Sequence, residues 1–254
     1  MNERDTIISV AKKTIRTEGN AILHLADLVD GQFAAAVLHI LKSKGRVIVT
    51  GIGKSANIAT KIVATLNSTG TPAIFMHAAD AIHGDLGILQ KNDVAICISK
   101  SGNTPEIKVL VPLIKAAGNK LVAITAHTGS FLGAQADYTL NAHIEKEACP
   151  NNLAPTTSTT AQLVLGDALA MALLELRGFS SNDFAKFHPG GALGKKLYLR
   201  VSDLTVLNQK PQVREDTGVK DVIVEISKKM LGVTAVVNGG AIVGIITDGD
   251  LRRM

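Results

Sequence analysis

Apolar positions recur at helical spacing through residues 5–42, at Ile15, Ile22, Leu25 and Leu28 and again at Phe33, Val37, Ile40 and Leu41. The Asp30-Gly31 pair interrupts the series, so the spacing predicts two helices rather than one. The period then changes. Short β-branched runs stand at 46–50, 73–76, 94–99, 121–125 and 137–141, each separated by enough chain for a helix or a packed loop. Unbroken apolar runs suit strands covered on both faces, and their alternation with helices predicts an α/β fold with a mainly parallel five-stranded sheet. After the third run, Thr104 stands as a cap, Pro105 suits a first helical position and Gly118 closes the helix. A long helix is predicted from about Thr160 to Arg177, ended by Gly178. Its interior, LVLGDALAMALLEL, is apolar nearly all round, which requires burial on the sheet or between subunits, the second being preferred.

The Gly-rich stretch FHPGGALGKK (187–196) reads as a domain edge. Beyond it come an apolar run near 204–207, Pro211, a helix at about 217–230, and the runs TAVVN (234–238) and IVGIITDGDLRR (242–253). This predicts a large domain over residues 1–200 and a small α+β unit over 205–254 that stops where its second helix should begin.

Composition narrows the chemistry. The 254 residues hold 46% hydrophobic but only 3% aromatic side chains, so the core is aliphatic and base stacking on aromatic platforms is not expected. The net charge is +5, and residues 1–201, with 20 basic and 15 acidic side chains, carry all of the excess. Such a modest surplus, with no long run of like charge, suits a small anion better than nucleic acid. Cys97 and Cys149 read as free thiols in a reducing compartment. The opening MNERDTIISVAKK has no apolar signal core, and the uncharged stretches 121–136 and 148–166 are too polar for a bilayer, so a cytoplasmic protein without membrane contact is expected.

Two stretches look like ligand loops. VIVTGIGKSA (47–56) is a strand delivering a Gly-x-Gly turn into a helix, which aims backbone N–H groups at an anion. It is not a Walker loop, since Ile48 stands where the first Gly is needed, and Ala56 replaces the third Gly of a dinucleotide fingerprint. ISKSGNTPE (98–106) gathers the hydroxyls of Ser99, Ser101 and Thr104 at another helix start, an arrangement suited to a phosphate ester. Taken alone, each stretch has a plain alternative as a tight turn or a cap.

These two stretches, with HAADAIHGDLG (77–87), EACPNNLAPTTSTT (147–160) and FHPGGALGKKL (187–197), together resemble the sugar isomerase (SIS) domain family, in particular its D-arabinose 5-phosphate isomerases. The resemblance runs over residues 3–254, and residues 205–254 look like the first part of a CBS domain pair. It implies an SIS-type sandwich and an aldose–ketose isomerase. The reaction implied is the interconversion of D-ribulose 5-phosphate and D-arabinose 5-phosphate on the route to the lipopolysaccharide sugar Kdo. Enediol chemistry needs a general base and acid and a group that stabilises oxygen charge, but no obligatory metal or organic cofactor.

By the same resemblance the catalytic positions are Lys54, Glu106, Glu147 and His188. Lys54 would neutralise phosphate or enediolate charge. Glu147 is read as the carbon base and His188 as the ring-opening or proton-relay group, with exchange of these roles open. Substrate-contact positions carry over to Gly53, Ser55, Gly70, Thr71, His77, His83, Ser99, Ser101, Thr104, His143, Ile144 and Glu145. His77 matches a position that takes up zinc, expected here as an incidental or inhibitory ion. The family also implies a homo-oligomer, a tetramer, with active sites at subunit interfaces. Another SIS sugar-phosphate isomerase, or a non-catalytic sugar-phosphate sensor, are the alternatives.

Overall fold

A computed structural model of the chain describes residues 2–191, 197, 200–206 and 208–254. Residues 192–196 of the Gly-rich stretch lie outside the described residues. The chain divides into two compact units, residues 1–187 and 188–254.

The first unit opens with α1 (Glu3–Asp27) and α2 (Gly31–Lys42). The Asp30 carboxylate, at the predicted break, accepts hydrogen bonds from Gln32 N and Phe33 N and starts the second helix. The chain then alternates: β1 (Val47–Gly51), α3 (Lys54–Ser68), β2 (Ala73–His77), α4 (Ala78–Ala81), a short 3-10 turn (Asp85–Ile88), β3 (Val94–Ile98) and α5 (Pro105–Ala116). β4 (Lys120–Thr125), α6 (Phe131–Gln135), β5 (Tyr138–Asn141), α7 (Thr157–Leu176) and α8 (Ser181–Phe187) complete it. The five strands are all parallel, in the order β2-β1-β3-β4-β5.

Because side chains alternate along a strand, β1 feeds both faces. Val47 and Val49 enter one core with Leu25, Val37, Ile62, Leu66, Leu165 and Leu169, while Ile48 enters the other with Met76, Ile107, Leu110 and Leu121. The result is a three-layer sandwich. α7 begins at Thr157, three residues before the predicted start, and lays Ala161, Leu165, Leu169 and Leu173 on the sheet-side core. One side of α7 is thus buried on the sheet face within the chain, while Met171 and Leu176 stay exposed. With a mean hydropathy of 1.3 this helix is apolar enough for a bilayer, yet Asp167 on it binds Lys61 of α3 at 2.5 Å. Helix α7 is a core helix, and its apolar length is explained by packing.

The two central strands are tied at their starts. Asp93, 2% exposed, accepts from the Arg46 backbone N at 2.7 Å and from its guanidinium at 2.7 Å, and also from Gln90 N at 2.9 Å. These bonds hold the Asp93 carboxyl below its ordinary range although burial pushes it up.

The second unit holds α9 (Val201–Thr205), β6 (Gln212–Arg214), α10 (Val219–Lys229), β7 (Val233–Asn238), β8 (Ala241–Thr247) and α11 (Asp248–Arg253). β6 runs parallel and β8 antiparallel to β7, and Val213, Val222 and Ile226 form a small core. The expected second helix does begin, as α11, with Thr247 and Asp250 closing a capping box.

Asp93→Ala should cost about 3 kcal/mol in urea unfolding, because it strands the Arg46 backbone N–H and leaves a partly buried guanidinium unpaired. A loss below about 0.5 kcal/mol, the scale of an exposed pair, would show that the clamp does not hold the sheet.

Candidate functional site

Parallel strands deliver their following loops to one rim of the sheet, where ligands bind in folds of this kind. β1 and β3 are neighbours in register, with Gly51 opposite Ile98. After β1, Gly53 turns with φ of +56°, a conformation costly for any residue with a Cβ, and leads into Lys54 and Ser55 at the start of α3. After β3 come Ser99, Lys100, Ser101 and, at the cap position of α5, Thr104. A cavity of about 440 Å³ opens between these loops and the head of α7, lined by Lys54, Ser55, Ser99, Lys100, Ser101 and Thr104 on one side. Ser158, Thr159 and Gln162 of α7 form the other.

The hydroxyls divide the work unexpectedly. Ser99 Oγ accepts from Gly102 N at 3.1 Å and Ser101 Oγ accepts from Asn103 N at 3.3 Å, so both shape the turn. Thr104, predicted as the cap, makes no capping bond, and its Oγ1 is buried without a partner among the described residues. Ser55 Oγ donates to Gln162 Oε1 at 3.1 Å, tying α3 to α7 across the cavity.

Glu147 is wholly buried, and its carboxylate closes the head of α7. Oε2 accepts from Thr156 N at 2.9 Å and Ser158 N at 3.1 Å, two N–H groups that the helix start leaves open. Oε1 accepts from Ser158 Oγ at 2.6 Å and from Lys100 Nζ at 2.5 Å. Burial alone would push this carboxyl up. The Lys100 ammonium, the Ser158 hydroxyl and the two N–H groups outweigh it and bring the carboxyl down to about 2.

Of the other expected positions, Glu106 lies half-buried in the first turn of α5. His77 ends β2 beside Asp80, its Nδ1 3.7 Å from the carboxylate, and His83 is exposed just beyond α4. Among the described residues no group of three or more His, Cys, Asp or Glu could hold a metal. His143, Glu145 and the mostly buried Ile144 line a different cavity, with Thr17, Asn20 and His24 of α1.

The cavity between β1 and β3 does not include Gly70 and Thr71. They precede β2, at the opposite end of the sheet from Lys54, and a Cβ on Gly70 would meet the Phe179 ring at 2.7 Å. Within one chain, then, Gly70 serves packing. His188 is the first residue of the second unit and is half-buried. Ser158, Thr159 and Gln162 also line the cavity; the first two fall within the 147–160 motif without a role assigned to them, and Gln162 lies just beyond it.

Residues 39–172 match the SIS domain family, and the chain belongs to it. More narrowly, it is 48% identical over its full length to the arabinose 5-phosphate isomerase KdsD of Pseudomonas aeruginosa, of which it spans 78%. It is 46% identical to the arabinose 5-phosphate isomerase KpsF of Escherichia coli, with 97% of this chain and 78% of that protein covered. A solved E. coli CFT073 structure in complex with arabinose 5-phosphate superposes with a TM-score of 0.71 at 40% identity, over 74% of this chain and all of that one.

The position of Glu147 has a thermodynamic consequence. A carboxyl lowered from 4.5 to about 2 on folding contributes stability that is complete above pH 4.5 and is lost as the pH falls towards 2. Glu147→Gln should therefore remove about 2 kcal/mol at pH 7 and flatten the acid limb of stability, seen as urea midpoints measured between pH 7 and pH 3. Parallel pH profiles for the two proteins would contradict the assignment.

Proposed function

We propose that this chain is an aldose–ketose isomerase that interconverts D-ribulose 5-phosphate and D-arabinose 5-phosphate through an enediol. The cavity at the β1–β3 rim carries this reading, in a chain almost half identical to a named arabinose 5-phosphate isomerase. Its walls offer the Lys54 ammonium and several hydroxyls, a donor set matched to a phosphate ester and sugar hydroxyls.

The roles follow from chemistry. Lys54 sits at the start of α3, where its charge and the helix N-terminus both favour an anion. The reaction moves a proton between adjacent carbons, so one carboxylate or imidazole must take it and return it. Glu147 is ionised throughout the neutral range, as a base must be, but its lone pairs are engaged by five donor groups in the free protein. Glu106 makes no hydrogen bond among the described residues and is the second candidate, with His188 for ring opening. The chemistry asks for no metal, and zinc at His77, beside the Asp80 carboxylate, would be incidental.

Helix α1 supports a homo-oligomer. It buries only Leu25 over 25 residues and leaves Ile7, Ile15 and Leu23 about 70% exposed. A tetramer whose partner subunits complete the site would also give Gly70, Thr71 and His143 a way to reach substrate. Residues 205–254 are read as the first repeat of a CBS pair, on the strength of their β-α-β-β order. A phosphorylated substrate and two free thiols favour the cytoplasm.

Purified protein should interconvert the two pentose phosphates without added metal. Lys54→Ala should lower kcat/KM by about 10²-fold or more, and Glu147→Gln should abolish turnover while binding of the phosphate ester stays measurable by calorimetry. Folded protein that isomerises neither pentose phosphate would end this reading.

A further inference from the structure

Lys100 lies in the 98–106 stretch with no role assigned to it there, yet beside the Ser55–Gln162 bond it makes a second contact that joins the two sides of the site. Its own backbone is fixed: Lys100 O accepts from Ala126 N at 3.1 Å and from Thr125 Oγ1 at 3.2 Å, both at the end of β4. From that anchor the side chain crosses to Glu147 Oε1. The other bonds to the Glu147 carboxylate come from Thr156 and Ser158, within eleven residues of it, and close the 147–156 segment on itself. The segment is further knotted by Glu147 N donating to Asn152 Oδ1 at 2.7 Å and Ala148 N donating to Thr156 Oγ1 at 3.0 Å. Among the described residues, Lys100 supplies the one side-chain bond from the sheet rim to this segment.

We propose that Lys100 is a positioning residue for Glu147, holding its carboxylate and the whole 147–156 segment in place against the cavity from the rigid end of β3. The proposal rests on the reading that Glu147 takes part in the isomerisation. Lys100 acts through Glu147, not through the substrate. Local groups suffice to cap α7, so a helix cap alone does not call for an ammonium here. A wholly buried carboxylate held only by neutral donors would be easier to protonate than one beside an ammonium.

Other charged groups on the surrounding elements are Lys54 on α3, Glu106 on α5, Glu18 on α1, and Glu145 and Lys146 beside Glu147 in sequence. Glu18 is engaged by Thr160 Oγ1 at 2.9 Å, and none of these five makes a described bond to Glu147.

The test uses the full chain and the variants Lys100→Met and Lys100→Arg. In Lys100→Met the acid limb of kcat/KM for D-arabinose 5-phosphate should move up by about one pH unit or more, with KM on the alkaline plateau changed less than about threefold. Lys100→Arg should restore the original profile. A rise in KM with an unmoved pH profile would overturn the proposal and make Lys100 a substrate ligand. Carbon-13 NMR of glutamate-labelled protein, with the Glu147 signal assigned through Glu147→Gln, gives a readout independent of turnover. The Glu147 carboxyl should stay ionised down to about pH 4 in the parent and titrate above that in Lys100→Met. An unchanged titration would refute the positioning role. If the parent lacks isomerase activity but the NMR shift appears, the functional reading fails while the Lys100–Glu147 coupling stands.

Discussion

The rim chemistry depends on one constraint: β1 and β3 lie side by side, parallel and in register, so that Gly51 and Ile98 end together. An antiparallel pairing would send the Gly53 turn and the Ser99–Thr104 loop to opposite ends of the sheet. The parallel arrangement is possible because both strands are buried on two faces and connected through helices, and Asp93 with Arg46 holds their starts level. Two helix N-termini and the two loops that line the cavity then converge, with no side chain having to reach far.

The third wall, the head of α7, is joined to this rim by charge. Glu147 has no exposure to water, so its ionised form depends on the ammonium and the open N–H groups around it. An uncompensated carboxylate there would protonate or force the loop open. Lys100, by contrast, keeps 40% of its side chain exposed and faces the cavity, which leaves it hydrated while it holds its partner. The pair thus combines a fixed, dry anion with a cation in reach of solvent.

Much of this is legible in the sequence. The five β-branched runs all form strands, because continuous apolar segments of that length have few other ways to be buried. The Gly53 turn and the hydroxyl loop are visible as motifs because glycine and clustered Ser and Thr are unusual between a strand and a helix. The burial partner of α7 is not legible: a helix apolar on every side carries no record of which face meets the sheet. Nor is the Lys100–Glu147 bond, since 47 residues separate the two and neither neighbourhood mentions the other. Thr104 shows the limit of local rules. It occupies the cap position that its type predicts, yet its hydroxyl does not cap, while Ser99 and Ser101, expected as ligand hydroxyls, also brace the turn.

That idle hydroxyl bears on selectivity. Thr104 Oγ1 is shut off from water and has no acceptor among the described residues, a condition that costs free energy in the free protein. A molecule that brings an oxygen to this point relieves the cost, whereas an analogue with a methylene there seals it in. Discrimination of this kind rejects compounds lacking a group more sharply than a hydrophobic pocket rejects compounds carrying an extra one. An unpaired hydroxyl at the edge of a ligand site would in this way favour ligands by what they must possess.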